Sequence, residues 1–151
     1  MLRTRDVMTK DVIWLRAGRS VEEAFKFMTE FSFRHLPVVD DQNKLVGILS
    51  EGDVLTSCNS INGQIILPNV KIEEIMTKDV ITCSPNNPLG NVVATMMACK
   101  IDCVPVVSHQ GLVGIVTTTD ILDVYCRSEE DSGHSFMPYD FVERKHVVYG
   151  G

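Results

Sequence analysis

The sequence predicts an α+β fold built from two β-α-β-β-α repeats related by a pseudo-twofold, and three recurrences predict it. MTKDVI stands at Met8–Ile13 and again at Met76–Ile81, and Pro37-Val38-Val39 returns as Pro105-Val106-Val107, both 68 residues later. Leu45-Val46-Gly47-Ile48 returns as Leu112-Val113-Gly114-Ile115, 67 residues later. The lost residue falls between positions 40–44 and 108–111. A surface turn tolerates such a change, whereas a one-residue shift within a strand sends every side chain to the wrong face. Two buried strands flanking a turn are therefore expected in each copy.

In the first copy Val12-Ile13-Trp14-Leu15 reads as a short strand and Gly18-Arg19 as a turn. Ser20, with Glu23 three residues on, makes a capping box. Val21, Ala24, Phe25, Met28 and Phe31 then form one apolar helical stripe, with Phe27 off its centre. Leu36–Val39 and Val46–Leu49 read as a hairpin around 40–44, and a helix from about Glu51 to Cys58 closes the unit. The second copy repeats the order: strand Val80–Cys83, helix about Leu89–Lys100, strands Val104–Val107 and Leu112–Val116, helix Thr118–Arg127.

The expected limits are 1–58 for the first copy, 59–70 for a linker carrying Gly63 and Pro68, 71–127 for the second copy, and 128–151 for a tail. Lys71–Ile75 reads as a short lead-in helix. The polar run Ser128–Gly133 reads as flexible, and 136–149 as apolar enough to dock. A unit of about 50 residues buries too little surface to be secure alone, so each copy is expected to cover the other.

Composition is that of an ordinary globular chain: 44% hydrophobic and 23% charged residues, net charge -6. The acidic balance, with no basic stripe, zinc pattern or extra helix pair, argues against nucleic-acid binding. No apolar run approaches the roughly 20 residues of a membrane span, and Met1–Asp6 lacks a signal-peptide core, so the cytoplasm is expected. Five cysteines (58, 83, 99, 103 and 126), odd in number and without a CxxC pair, read as reduced core thiols rather than metal ligands. No nucleophile elbow, P-loop or HExxH appears, and His109, His134 and His146 fall in a turn or the tail, so no enzyme and no catalytic residue is expected.

The Met-Thr-x-Asp-Val openings, the x-Pro-Val-Val strands and the two Gly-h-h-Ser/Thr-x-x-Asp endings resemble the CBS domain pair, or Bateman module, over roughly residues 2–127. A stand-alone pair is expected. The resemblance implies a regulatory module that binds an adenosine-containing ligand (AMP, ADP, ATP or S-adenosylmethionine), requires no cofactor, forms a homodimer and signals through a partner protein. A ligand-free dimerising scaffold is the alternative.

In Gly47–Asp53 and Gly114–Asp120 a strand runs into a helix, placing Ser50 or Thr117 and helical N–H groups where anions are favoured. The resemblance makes Asp53 and Asp120 acceptors of ribose hydroxyls. It sets Thr9, Val12 and Ile13 against one adenine and Thr77, Val80 and Ile81 against the other, each first strand serving the other copy's aspartate. It also makes Arg34 and His35 phosphate holders and gives Arg34 to the Asp53 site. The second copy has Asp102-Cys103 there and offers no base, and Gly52 stands where Thr119 offers a hydroxyl. The alternative for these residues is ordinary capping: Ser50 and Thr117 as N-caps, Asp53 and Asp120 as first-turn acids.

Overall fold

The computed structural model describes residues 1–133. The first element, α1 (Thr4–Val7), packs on the second repeat rather than its own. Thr4, fully buried, donates from its N–H and its hydroxyl to Asn87 O at 2.9 and 3.0 Å, and Leu89 N–H bonds Leu2 O at 2.9 Å.

The first repeat follows as β1 (Leu15–Arg16), α2 (Val21–Phe31), β2 (His35–Val39), β3 (Leu45–Ser50) and α3 (Glu51–Ser57). Ser20 caps α2 as its sequence predicts, accepting from Glu23 N–H at 3.1 Å. Val21, Ala24 and Met28 are buried. Phe31 is not. The helix ends at Ser32 in the left-handed conformation, leaving Phe31 at the rim, 4.7 Å from the Phe27 ring and 6.4 Å from Phe33.

The segment expected to be a linker holds a two-stranded hairpin, β4 (Asn59–Ile61) and β5 (Gln64–Ile66), turned at Asn62-Gly63 with φ 52° and 77°. The lead-in read at Lys71–Ile75 is a 3-10 turn over Ile72–Glu74, and it packs on the first repeat: Ile72 N–H bonds Arg19 O at 2.9 Å and Gly18 N–H bonds Glu73.

The second repeat comprises α4 (Leu89–Cys99), β6 (Cys103–Ser108), β7 (Gly111–Thr117) and α5 (Thr118–Asp131). Its expected first strand, Val80–Cys83, is reduced to one parallel bridge, Cys83 to Val106, the counterpart of Leu15 to Val38 in β1–β2. Val12–Trp14 likewise stand outside β1. The antiparallel hairpins β2–β3 and β6–β7 match closely, each with an irregularity at the equivalent place, Val38/Val39 and Val106/Val107. Ser128–Asp131, expected to be flexible, continue α5; Ser128 Oγ bonds back to Tyr125 O at 2.7 Å and Arg127 pairs with Asp123 at 2.7 Å. The expectation for 136–149 lies outside the described residues.

Each repeat's core is finished by the other's lead-in. Leu15, Met28, Leu36, Val38, Leu49 and Val54 close around Ile72, with Met76 against them; Val92, Met96, Val104, Val106 and Val116 pack with Met8. A Cβ on Gly47 would collide with the Met76 sulfur, and one on Gly114 with that of Met8, so both glycines admit a methionine from across the pseudo-twofold. Of the five cysteines only Cys103 is buried. Cys58 and Cys83 are half-buried, whereas Cys99 and Cys126 are exposed, so the core-thiol expectation fails for those two.

Candidate functional site

The two lead-ins do more than fill cores. Thr9 exchanges backbone hydrogen bonds with Ile115 at 2.9 and 3.0 Å, and Thr77 does the same with Ile48 at 3.0 and 2.9 Å. Each MTKDVI segment is therefore stitched to the strand that ends at the other repeat's aspartate. The crossing is direct at Asp120, whose Oδ1 accepts from Thr9 Oγ1 at 3.1 Å.

Around each crossing lies a cleft. One, about 700 Å³, is lined by Thr9, Val12, Ile13, Arg34 and His35 from the first repeat and by Thr117 and Thr119 from the second. The other, about 250 Å³, is lined by Thr77, Val80 and Ile81 from the second repeat and Ser50, Asp53 and His35 from the first. Twelve of the thirteen expected site residues therefore line one cleft or the other. Asp120, the thirteenth, is tied to the larger through Thr9 and Thr117.

The capping alternative is present as well. Asp53 Oδ2 accepts from Ser50 N–H at 2.9 Å while Ser50 Oγ accepts from Asp53 N–H at 2.9 Å. Asp120 Oδ2 accepts from Thr117 N–H at 2.7 Å and from its hydroxyl at 3.1 Å. One oxygen of each aspartate thus secures its own strand–helix joint. A carboxylate has roughly four lone-pair sites, so the cap does not exhaust its accepting capacity.

Arg34 does not stand where it was expected. It lines the Thr9–Thr117 cleft, away from Asp53, because the residues before β2 face their own repeat's 9–13 segment, which has crossed to the second repeat's strand–helix joint. By the same symmetry Lys100, equivalent to Ser32, lines the Asp53 cleft. The second repeat therefore does offer a base there. Lys100 and Ser32 are both helix ends in the left-handed conformation, at φ 54° and 57°, and their shared 68-residue offset was the available signal. Asp11 and Asp79, the aspartates of MTKDVI itself, also enter the clefts, one in each.

His35 and Asp102 line both clefts. Burial lowers the His35 pKa below its ordinary value, against the opposing pull of Asp102 and Asp53, so near neutral pH it is an uncharged imidazole. Cys103 is pushed up to about 12 by burial and then by the charges of Asp120 and Asp102, which keeps it a thiol. Among the described residues no cluster of His, Cys, Asp and Glu could hold a metal ion, and no helix is long and apolar enough to cross a membrane.

The CBS domain model matches residues 5–59 and 72–127, the two units that the crossing joins. The chain belongs to the CBS domain family. A solved CBS domain pair, that of protein MJ0100 in complex with 5′-methylthioadenosine and S-adenosyl-L-methionine, is 33% identical, with a TM-score of 0.73 over 85% of this chain and 98% of that one. A conserved protein from Pyrococcus horikoshii is 28% identical, TM-score 0.68, over 90% and 96% of the two chains. Among curated relatives, L-aspartate semialdehyde sulfurtransferase of Methanocaldococcus jannaschii is 37% identical over 119 residues, 78% of this chain and 22% of the relative. Homoserine O-acetyltransferase of Methanococcoides burtonii is 38% identical over 117 residues, 77% of this chain and 22% of the relative. The CBS pair thus spans about a fifth of the length of these relatives.

Proposed function

We propose that this CBS pair is a regulatory module that binds an adenosine-containing ligand in its two clefts and passes the bound state to a partner protein. The observation that carries the reading is the Thr9–Asp120 contact at 3.1 Å, which holds a carboxylate oxygen of one repeat against a hydroxyl of the other, on the threonine that lines the 700 Å³ cleft. A ribose diol bridging those groups would bind both repeats at once, which makes ligand a natural lever on their relative arrangement. Support comes also from the ligand-bound CBS pair of MJ0100, in which 5′-methylthioadenosine and S-adenosyl-L-methionine are present.

Arg34 and the threonines at the head of the 14-residue α5, set against Asp11 and Asp102, make the larger cleft the more receptive of the two to a phosphorylated ligand. The smaller cleft, with Asp53, Asp79 and Asp102 against Lys100, favours a ligand of little or no negative charge, such as S-adenosylmethionine. No catalytic step is assigned to the chain.

A homodimer belongs to the same reading. Met97, Leu122 and Tyr125 are 74%, 60% and 58% exposed, and an apolar groove lined by Val93, Met96, Ile101 and Ile121 lies between α4 and α5. Pairing two such faces about a twofold would cover them. Light scattering that gave the monomer mass with and without ligand would remove this part.

The test of ligand binding is a thermal-shift panel of AMP, ADP, ATP, 5′-methylthioadenosine and S-adenosylmethionine, followed by calorimetry on Asp53→Ala and Asp120→Ala. A ligand at 100 times its dissociation constant adds about 2.7 kcal/mol of stability. Absence of any shift, or an affinity untouched by both changes, would overturn the reading.

A further inference from the structure

The side chains of 77–82 divide between two clefts. Thr77, Asp79 and Ile81 line the Asp53 cleft, Lys78 and Thr82 line another, of about 510 Å³, where the β2–β3 and β6–β7 turns meet, and Val80 stands between them, lining both. The turns abut closely, a Cβ on Gly111 falling 2.8 Å from Asn43 O. Lys44, Lys78 and His109 bring nitrogen groups into this cleft from three separate segments, and no carboxylate is among the residues lining it. That is unusual in a chain of net charge -6, whose larger adenosine cleft is lined by two aspartates and whose smaller is lined by three. The acids of the first turn are committed elsewhere: Asp40 Oδ1 accepts from Gln42 and Lys44 N–H at 2.8 and 3.0 Å, and Asp41 pairs with Arg16 at 3.2 Å.

We propose that the turn cleft is an anion site for a small ligand bearing an oligophosphate group, distinct from the two adenosine clefts. Cations spread over both repeats suit a chain of several phosphates better than a single one, because one extended anion meets all of them. An oligophosphate there would also hold the two turns together, on the opposite side of the 77–82 segment from Asp53.

Tripolyphosphate is the probe, titrated calorimetrically into the full chain at low salt and again at physiological ionic strength. Saturable binding is expected, weakened on the order of tenfold by each of Lys44→Gln and Lys78→Gln, and weakened by His109→Gln. Arg34→Ala, which alters the larger adenosine cleft, is expected to leave in place the binding that the two lysine changes weaken. These are exposed positions, so circular dichroism melts of all four variants should match the parent. No tripolyphosphate binding by the parent, binding indifferent to both lysine changes, or binding lost in Arg34→Ala overturns the proposal.

Discussion

Thr9 Oγ1 donates to Asp120 Oδ1 at 3.1 Å, joining side chains that lie 111 positions apart in the chain. The bond is exposed, so solvent reduces its net worth to that of an ordinary hydrogen bond. Thr9→Ala should lower stability by about 0.5–1 kcal/mol in urea titrations, and Thr9→Ser should restore it. A full loss in the serine variant would show that the threonine methyl, not the hydroxyl, matters.

Arg34 should discriminate by phosphate. Arg34→Ala is expected to weaken AMP about tenfold in calorimetry and to spare adenosine, as the loss of one charge-assisted bond would. Lys100→Ala should leave that AMP site unaltered, because Lys100 lines the other cleft. Equal effects of the two changes on one site would place both bases together, against the geometry.

Gly47→Ala and Gly114→Ala should each cost about 1–3 kcal/mol, since the added methyl meets Met76 or Met8 in a packed interior. Chemical denaturation of Gly47→Ala combined with Met76→Ala should show less than the sum of the single losses. Additive losses would mean that the methionine is not what excludes the methyl.

The lowered His35 pKa fixes the sign of a pH effect. Below about pH 6.5 the unfolded chain binds a proton that folded His35 resists, so stability falls with falling pH until the folded pKa is passed, and is flat beyond it. His35→Gln should remove this slope from urea midpoints measured between about pH 5 and 7. The groups acting on His35 are Asp102, Asp53 and Glu51, which raise its pKa, and Arg34, which with burial lowers it. A slope that survives in the variant would belong to other groups.

The thiols should divide by accessibility. Exposed Cys99 and Cys126 are expected to alkylate first with iodoacetamide at mildly alkaline pH, while Cys103, buried and with its pKa near 12, reacts only on unfolding. Peptide mass spectrometry resolves the order, and early modification of Cys103 would contradict the burial.

The hairpins β2–β3 and β6–β7 and the helices α2 to α5 are legible because a hydrophobic period, a turn or a cap marks each of them in the sequence. Val12–Trp14 and Val80–Thr82 were overread as strands: several of them are apolar because they line clefts, not because they pair in a sheet. The β4–β5 hairpin carries its own signal in Asn62-Gly63, a dipeptide that takes positive φ readily at a two-residue turn, between the short runs Ser60-Ile61 and Gln64-Ile65-Ile66. Asp53 and Asp120 were readable from the repeat, but Arg34 was not placeable. Its cleft depends on a crossing between segments remote in sequence, which no local pattern encodes. Lys100 was missed because its counterpart, Ser32, carries no charge to draw attention to the position.

The exchanged lead-ins also set the order in which the molecule can assemble. During synthesis α1 emerges well before the surface that receives Thr4, Met8 and Thr9, which is made by residues 87–120. The first repeat must likewise wait for Ile72 and Met76 before its core closes. Contacts of such separation raise the contact order and leave no early resting point, so the two halves should fold in one cooperative step. A fragment stopping at residue 70 would lack the residue at the centre of its own core.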